Sequence, residues 1–290
     1  MNWVPLFFID SVCHQLRKAA LGEQFREVSL LSGNWSKLGA EHRSKRREFE
    51  FSCHVDSAQV SYQLWNVWND SPRMLVGDLN SKYDRITSVT CDSTYPRSID
   101  VSLDQLLRDV LPVVVPLLSS CCFKQTNTAR NQILNAFRSA VGISFICAQD
   151  RSDEMRNFVA RHVEFGNVEK LYISGQRSIS SAQQEELAKT LTTFVNSTRF
   201  HELNAVGPLP NAFELLELFL ERALANELRT GASISIDKMS FDDCLRVKCL
   251  NPDYPGELED LAWRIPNSNR KVTLQHWEIF VHTIVLTVTG

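Results

Sequence analysis

A short apolar pattern recurs along the second half of the chain and constrains its fold more than any other feature. The pattern is apolar-x-x-apolar-x-apolar, and it begins at Ile143, Val168 and Phe200. A weaker copy begins at Gly231, and an isolated earlier match begins at Ile86. The four later starts are 25, 32 and 31 residues apart. Apolar residues recur at helical spacing between these copies, over residues 151–165, 181–198 and 211–226.

A strand and a helix that repeat about every 20–35 residues are typical of a leucine-rich-repeat-like solenoid. In such a fold each unit buries its apolar edge against its neighbours. The units here are irregular and lack the Asn position of the regular repeat, and the βαβ units of an ordinary α/β domain have similar spacing. Both architectures therefore stay open. Three β-like runs without a helix between them end the chain, over residues 259–289, and predict a small sheet that caps the last repeat.

The first part of the chain changes period near residue 46. Residues 1–45 have helical spacing, and Trp35 closes the apolar face of the second helix. A basic cluster at residues 43–47 follows and is interpreted as a solvated helix end. Residues 47–55 and 58–68 then alternate apolar and polar side chains around Asp56-Ser57, which predicts a β-hairpin. The fold class predicted is α/β (α+β overall), with a short helical unit at 1–45 and, at 46–290, an irregular leucine-rich-repeat-like α/β solenoid with a C-terminal β cap.

A solenoid register would place every second residue of each short strand on an inner concave face. Tyr172, Asn204 and Ser235 must then lie side by side on neighbouring strands. Aromatic residues are enriched at protein interfaces and Lys is depleted, so Phe145 and Tyr172 are the better anchors. The candidate target-binding residues are Phe145, Lys170, Tyr172, Glu202, Asn204 and Ser235, and the same face would include Cys147 and Ser233.

Composition excludes several classes of protein. The chain has 290 residues, with 31 Lys+Arg against 34 Asp+Glu and a net charge of −3, so nucleic acid is not an expected partner. The first residues lack a basic segment, and the apolar run at residues 110–118 is far shorter than a membrane helix of ~20 residues. We expect no signal peptide and no membrane partner. Eight unevenly spaced Cys indicate reduced thiols and a cytoplasmic or nuclear location.

Catalytic and metal signatures are weak. The sequence has no G-x-G, no Gly-Lys-Ser/Thr and no H-E-x-x-H. Four residues could ligate zinc, although helical packing also explains the first of them: Cys244, Cys249, His276 and His282. We expect no catalytic residue, no metal and no cofactor, and so a protein that is not an enzyme.

Two further groups have simpler structural explanations than catalysis. Cys121 and Cys122 could form a nucleophilic site with a His elsewhere, but buried inert thiols explain them better. Asp242 and Asp243 are explained by the acidic first turn of a helix that Ser240 caps. A hydrolase that uses a Cys or His without a local motif is the enzymatic alternative.

The N-terminal unit resembles an F-box. Members of that family open with Leu-Pro, continue with an apolar helix, and close with a Val-Cys-x-x-Trp stretch before a Leu and a basic tail. Here Val4-Pro5 begins the segment VPLFFIDSVC, and LSGNW ends at Trp35 before Leu38 and Arg43. The whole chain is similar to the nematode F-box-like families with divergent C-terminal regions.

The resemblance implies a function in protein recognition. It implies a non-catalytic substrate-recognition subunit of a cullin-type (SCF) ubiquitin ligase, which docks a Skp1-like adaptor and cullin complex through residues 1–45 and an unknown target protein through the rest. The alternative is a repeat-type protein-interaction scaffold with no ligase association. The adaptor-binding residues that the resemblance implies are Val4, Pro5, Phe8, Ile9, Val12, Leu16, Leu31 and Trp35.

Overall fold

The chain forms two compact units that meet in sequence between Ser119 and Ser120. A computed structural model describes residues 5–15, 28, 30–31, 33–55, 60–67, 74–91, 98–123, 128–149, 152–174, 180–207, 209, 211–250, 261–278 and 282–290. It is a mixed α/β structure in which each unit has its own strands and helices. The boundary predicted between residues 45 and 46 does not separate the units, because the N-terminal helices belong to the same unit as the strands that follow them.

In its described residues, the first unit combines N-terminal helices with a mixed sheet in the order β3-β1-β2-β4. β1 and β2 form the predicted antiparallel hairpin, and β3 lies parallel to β1 on the other side. The early match to the repeat is confirmed as a strand, since its three apolar residues in β3 are at most 2% exposed. The elements are α1 (Leu6–Gln15), α2 (Asn34–Lys45), β1 (Arg47–Val55), β2 (Val60–Asn66), a 3-10 turn (Val76–Asp78), β3 (Asp84–Cys91) and β4 (Ile99–Asp100).

A helical segment at residues 103–117 closes the first unit in four short pieces. Its pieces are α-helical (Leu103–Gln105), π-helical (Leu106–Val110), α-helical (Leu111–Val114) and 3-10 (Val115–Leu117). Pro112 and Pro116 lack an N–H and clash with the carbonyl four residues earlier, so neither fits inside a regular helix. The prolines therefore divide the segment.

The second unit is a sheet in the order β10-β11-β12-β9-β8-β7-β6-β5 among its described strands. β5 to β9 are parallel and lie in sequence order. Its elements are β5 (Ser120–Phe123), α3 (Thr128–Phe137), β6 (Phe145–Ala148), α4 (Asp153–Glu164), β7 (Lys170–Ser174), α5 (Ser181–Asn196), β8 (Glu202–Val206), α6 (Ala212–Leu224), β9 (Ser233–Met239), α7 (Phe241–Cys249), β10 (Leu261–Arg264), β11 (Lys271–Glu278) and β12 (His282–Thr289).

Three of the described helices of the second unit begin at serine caps. Ser152, Ser180 and Ser240 are the N-caps of α4, α5 and α7, and each hydroxyl accepts a hydrogen bond from a backbone N–H of the first turn. The interpretation of Asp242 and Asp243 as an acidic first turn is thereby confirmed.

The core of the second unit is built from the repeated pattern. The apolar residues of the three strong copies are at most 3% exposed, and Ile234 and Ile236 of the weaker copy are fully buried. Right-handed connections between parallel strands in sequence order place all the connecting helices on one side of the sheet. The contacts of α4 with β6 and of α6 with β9 agree with this placement. Aromatic side chains fill the core between the sheet and these helices. For example, the ring centroids of Phe194 on α5 and Phe200, just before β8, are 5.2 Å apart.

The three C-terminal runs are confirmed as antiparallel strands. β12 pairs with β9, β11 with β12, and β10 with β11. They cover the β9 edge of the parallel strands, as the predicted cap requires. In the ranges described above, every helix is too short or too polar to cross a bilayer.

Candidate functional site

The side of the parallel strands that carries no connecting helix is the first candidate site. On β7, β8 and the first part of β9, every second residue points to this side and is half-buried, while the residues between are buried under the helices. On β6, Phe145 is half-buried and Cys147 is buried. We call this surface the open face. It consists of Phe145, Cys147, Lys170, Tyr172, Glu202, Asn204, Ser233 and Ser235.

The predicted register of the open face is confirmed. Tyr172 pairs with Asn204, and Asn204 pairs with Ser235, so the three side chains form one row across neighbouring strands. Phe145, Lys170 and Glu202 form a second row. All six candidate target-binding residues therefore lie on one surface.

β12 extends both rows beyond the residues that sequence analysis selected. Val285 pairs with Ser235, and Thr287 pairs with Ser233. Both β12 side chains are half-buried. The alternating pattern of the C-terminal run could have identified these two positions, because the register of a strand determines the face to which every second side chain points.

A shallow concavity of about 280 Å³ lies in the β6–β8 part of the open face. Lys170 and Glu202 cross it as an ion pair, with Nζ and Oε2 2.7 Å apart and side chains 43% and 40% exposed. The pair neutralises the middle of the surface, and the other residues that contribute to it are uncharged. The lining residues are Phe145, Cys147, Gln149, Lys170, Leu171, Tyr172, Glu202 and Asn204. Gln149 is not among the residues predicted from the sequence.

His201 precedes β8 at the edge of this surface. Burial lowers the pKa of His201, and the positive charges of Arg229 and Lys170 lower it further. Lys170 and Glu202 are the charged residues of the open face, and they are paired with each other. The chemistry available there is hydrogen bonding by amide and hydroxyl groups together with aromatic contact.

The N-terminal helices form the second candidate site. Pro5, Phe8 and Leu31 are exposed, whereas Val12 and Trp35 are half-buried. Phe8 contacts Trp35 edge to face, with ring centroids 6.4 Å apart. Val4 and Leu16, the other two predicted positions on the first helix, lie outside the described residues.

Ile9 requires a correction, because it is not a surface residue. Its side chain is fully buried with Cys13, and Val28, Trp35 and Leu38 pack against the two. Consecutive residues of a helix point about 100° apart, so an exposed Phe8 places Ile9 toward the helix pair. Two further apolar side chains are exposed, Leu6 at 56% and Leu30 at 78%, and neither is among the predicted positions.

A polar network ties these helices to β1 and β3. Arg46 is 2% exposed and donates from Nη1 to the carbonyl of Cys13 at 2.8 Å. Burial lowers the pKa of Arg46 to about 10. Arg47 makes a bidentate pair with the buried Asp84, at 2.8 Å and 2.6 Å. The interpretation of the basic cluster as a solvated helix end is therefore wrong for Arg46.

The other groups that sequence analysis considered are not assembled into catalytic sites. Cys121 is 1% exposed, and burial raises the pKa of its thiol. Cys244 is buried and Cys249 is exposed, while Nδ1 of His276 lies 3.2 Å from Nζ of Lys248. Within the described ranges, no group of three or more His, Cys, Asp or Glu side chains could hold a metal ion.

The chain matches no family model, no curated protein and no solved structure. The geometry of the open face and of the N-terminal helices is therefore the basis for a functional assignment.

Proposed function

We propose that the protein is a non-catalytic substrate-recognition subunit of a cullin-type ubiquitin ligase. The N-terminal helices dock a Skp1-like adaptor, and the open face holds the protein to be modified. The proposal combines the F-box resemblance of residues 1–45 with two surfaces suited to protein contact. A cytoplasmic or nuclear location is part of the proposal.

Exposed apolar side chains on the N-terminal helices carry the adaptor part of the proposal. Nine large hydrophobic residues are exposed in the described part of the chain, and Leu6, Phe8, Leu30 and Leu31 are four of them. Such a concentration within the first 31 residues is costly in water and is typical of a contact surface. Ile9 and Trp35 would hold the helices in place behind this surface.

The open face supports the target part of the proposal. We propose that β5 to β9 and their helices are irregular leucine-rich-repeat-like units, because the strands follow sequence order and their matched residues are 25–32 positions apart. Aromatic and neutral polar residues occupy the surface, and its central charges are paired with each other. A protein segment could bind there without leaving a lone buried charge.

Proximity explains how such a protein would act without catalysing a reaction itself. A target held near a charged conjugating enzyme meets it at a raised effective concentration. The chain would then contribute binding energy and position only, which agrees with the absence of a catalytic motif in the sequence.

Co-purification with a Skp1-like adaptor tests the proposal. The full chain is co-expressed with the adaptor, and the parent is expected to elute with it as one complex. Phe8→Asp and Leu31→Asp should each abolish the complex, because a charge replaces an exposed apolar contact. Val141→Asp is the matched control, since Val141 is 67% exposed and lies in the second unit.

Two results would contradict the proposal. A folded parent chain that elutes without the adaptor would favour the repeat-type scaffold with no ligase association. Equal loss of the complex in the Val141→Asp control would mean that the N-terminal residues are not the contact. Circular dichroism of each variant verifies that the helices remain folded.

A further inference from the structure

Two cysteines lie side by side at the β5 end of the open face. Cys122 on β5 and Cys147 on β6 are register partners in a parallel pair. Register partners point to the same side of a sheet, and neighbouring strands are about 4.7–4.9 Å apart. A disulfide needs Cα atoms about 4.4–6.8 Å apart, so the backbone is already within the required range. The two thiols are also joined by a hydrogen bond.

Access distinguishes this pair from the other pair of cysteines on neighbouring strands, Cys53 and Cys91. Cys122 is half-buried, and Cys147 is 7% exposed and lines the concavity. Cys53 and Cys91 are likewise register partners, on β1 and β3, with Sγ atoms 3.0 Å apart. They are only 1% and 2% exposed, so a dissolved reagent does not reach them in the folded protein.

The environments of Cys122 and Cys147 give them different roles. The hydrogen bond with Cys122 and burial both raise the pKa of Cys147, so its thiol keeps its proton and can donate to the Cys122 sulfur. Cys122 is the more exposed of the two, so it is the residue that a dissolved reagent meets first. Modification of Cys122 removes that hydrogen bond and with it the largest cause of the raised pKa of Cys147.

We propose that Cys122 and Cys147 are a redox-active thiol pair that a low-molecular-weight disulfide oxidises to an intramolecular disulfide. The Cys122 thiolate attacks one sulfur of the small disulfide, a mixed disulfide forms, and one small thiolate leaves. Cys147 then loses its proton and attacks Sγ of Cys122, which expels the second small thiolate. The protein loses two electrons and two protons, and the small disulfide is reduced to two thiols.

Oxidation of the pair would affect the open face, because the two cysteines lie beside its candidate anchor residue. Cys147 is the register partner of Tyr172, which is the candidate aromatic anchor. A disulfide in this row would stiffen the wall of the concavity and alter the binding of a target. This consequence rests on the proposed function, whereas formation of the disulfide does not.

Peptide mapping of the native full chain tests the pair. The protein is incubated with oxidised glutathione, its free thiols are alkylated, and trypsin digests it without reduction. The expected product joins the peptide of residues 109–124 to that of residues 139–151. The link should disappear in Cys122→Ser and persist in Cys121→Ser, whose cysteine is adjacent in sequence but buried. Cys53 and Cys91 should remain unlinked.

A trapping variant provides a second readout. In Cys147→Ser the second step is blocked, so a glutathione adduct should accumulate on Cys122. The proposal is overturned if Cys122 remains fully reduced in both the parent and Cys147→Ser, or if the link requires Cys121 in place of Cys122. Because no target protein takes part, these outcomes are independent of ligase association.

Discussion

Nε2 of His42 on α2 donates a hydrogen bond to Oδ1 of Asp10 on α1, at 2.8 Å. His42 is fully buried, whereas Lys82 approaches the same oxygen from solvent at 3.3 Å. One carboxylate therefore has a buried partner and an exposed partner. The buried contact fixes the two N-terminal helices to each other.

Asp10 is expected to stabilise the first unit mainly through His42. Asp10→Ala should lower the free energy of unfolding by about 1–3 kcal/mol, because it leaves a buried polar group without its partner. Lys82→Ala should cost less than about 0.5 kcal/mol, since Lys82 is 44% exposed and surface pairs contribute little. Urea denaturation of both variants measures the difference. Equal losses would show that the buried contact has no special role.

The stability of the second unit is expected to fall in mild acid because of His162. Burial lowers the pKa of His162 to about 4 from an ordinary value of 6.5. Below pH 6.5 the unfolded chain binds a proton at this position and the folded chain does not, so protonation favours unfolding. The contribution is complete above pH 6.5 and is lost as the pH falls toward 4. The loss should be roughly 1–3 kcal/mol.

His162→Gln provides the comparison for this pH dependence. The variant lacks the titrating ring, so its unfolding free energy should decrease less than that of the parent between pH 7 and pH 4.5. Urea melts at five pH values measure the difference in slope. Parallel profiles would mean that His162 does not titrate in this range.

Alternate residues of β8 should differ sharply in their effect on stability. Leu203 is fully buried under the helices, so Leu203→Ala should cost about 2–5 kcal/mol. Its neighbour Asn204 belongs to the open face, so Asn204→Ala should change stability by no more than ~0.5 kcal/mol. Thermal unfolding of the two variants tests the orientation of the strand. The reverse order would mean that the register is shifted by one residue.

The ion pair on the open face should contribute little to folding. Lys170 and Glu202 are both partly exposed, so a double-mutant cycle to Ala should give a coupling below about 1 kcal/mol. The coupling should shrink further in 1 M salt, where charges are screened within about 3 Å. A larger coupling that persists in salt would indicate that the pair is not solvated.

The second unit could be predicted from sequence because its signal is periodic. The copies of the pattern that begin at Val168 and Phe200 place Leu171 and Leu203 in the core. Because side chains alternate along a strand, Tyr172 and Asn204 must then point to the open face. Local spacing alone contained this information. The helices between these strands followed from their apolar periodicity in the same way.

The first unit was harder to predict because its contacts are distant in sequence. Arg46 belongs to a basic run that reads as solvated, yet its guanidinium reaches the carbonyl of Cys13, 33 positions earlier. Nothing near Arg46 in sequence indicates that partner. The burial of Ile9 likewise depends on the packing of Val28 and Trp35, so its spacing could not distinguish the inner face from the outer one.

The sequence order of the parallel strands has a kinetic consequence. Partners such as Tyr172 and Asn204 are 32 positions apart, so each strand closes a loop of similar, moderate length onto the strand before it. Ser235 and Val285 are 50 positions apart, and closing that longer loop costs about 0.4 kcal/mol more in chain entropy. Assembly of this unit can therefore propagate along the chain from β5 to β9, with β12 pairing last. A ribosome that releases the chain from its N-terminus would deliver the strands in the order in which they pair.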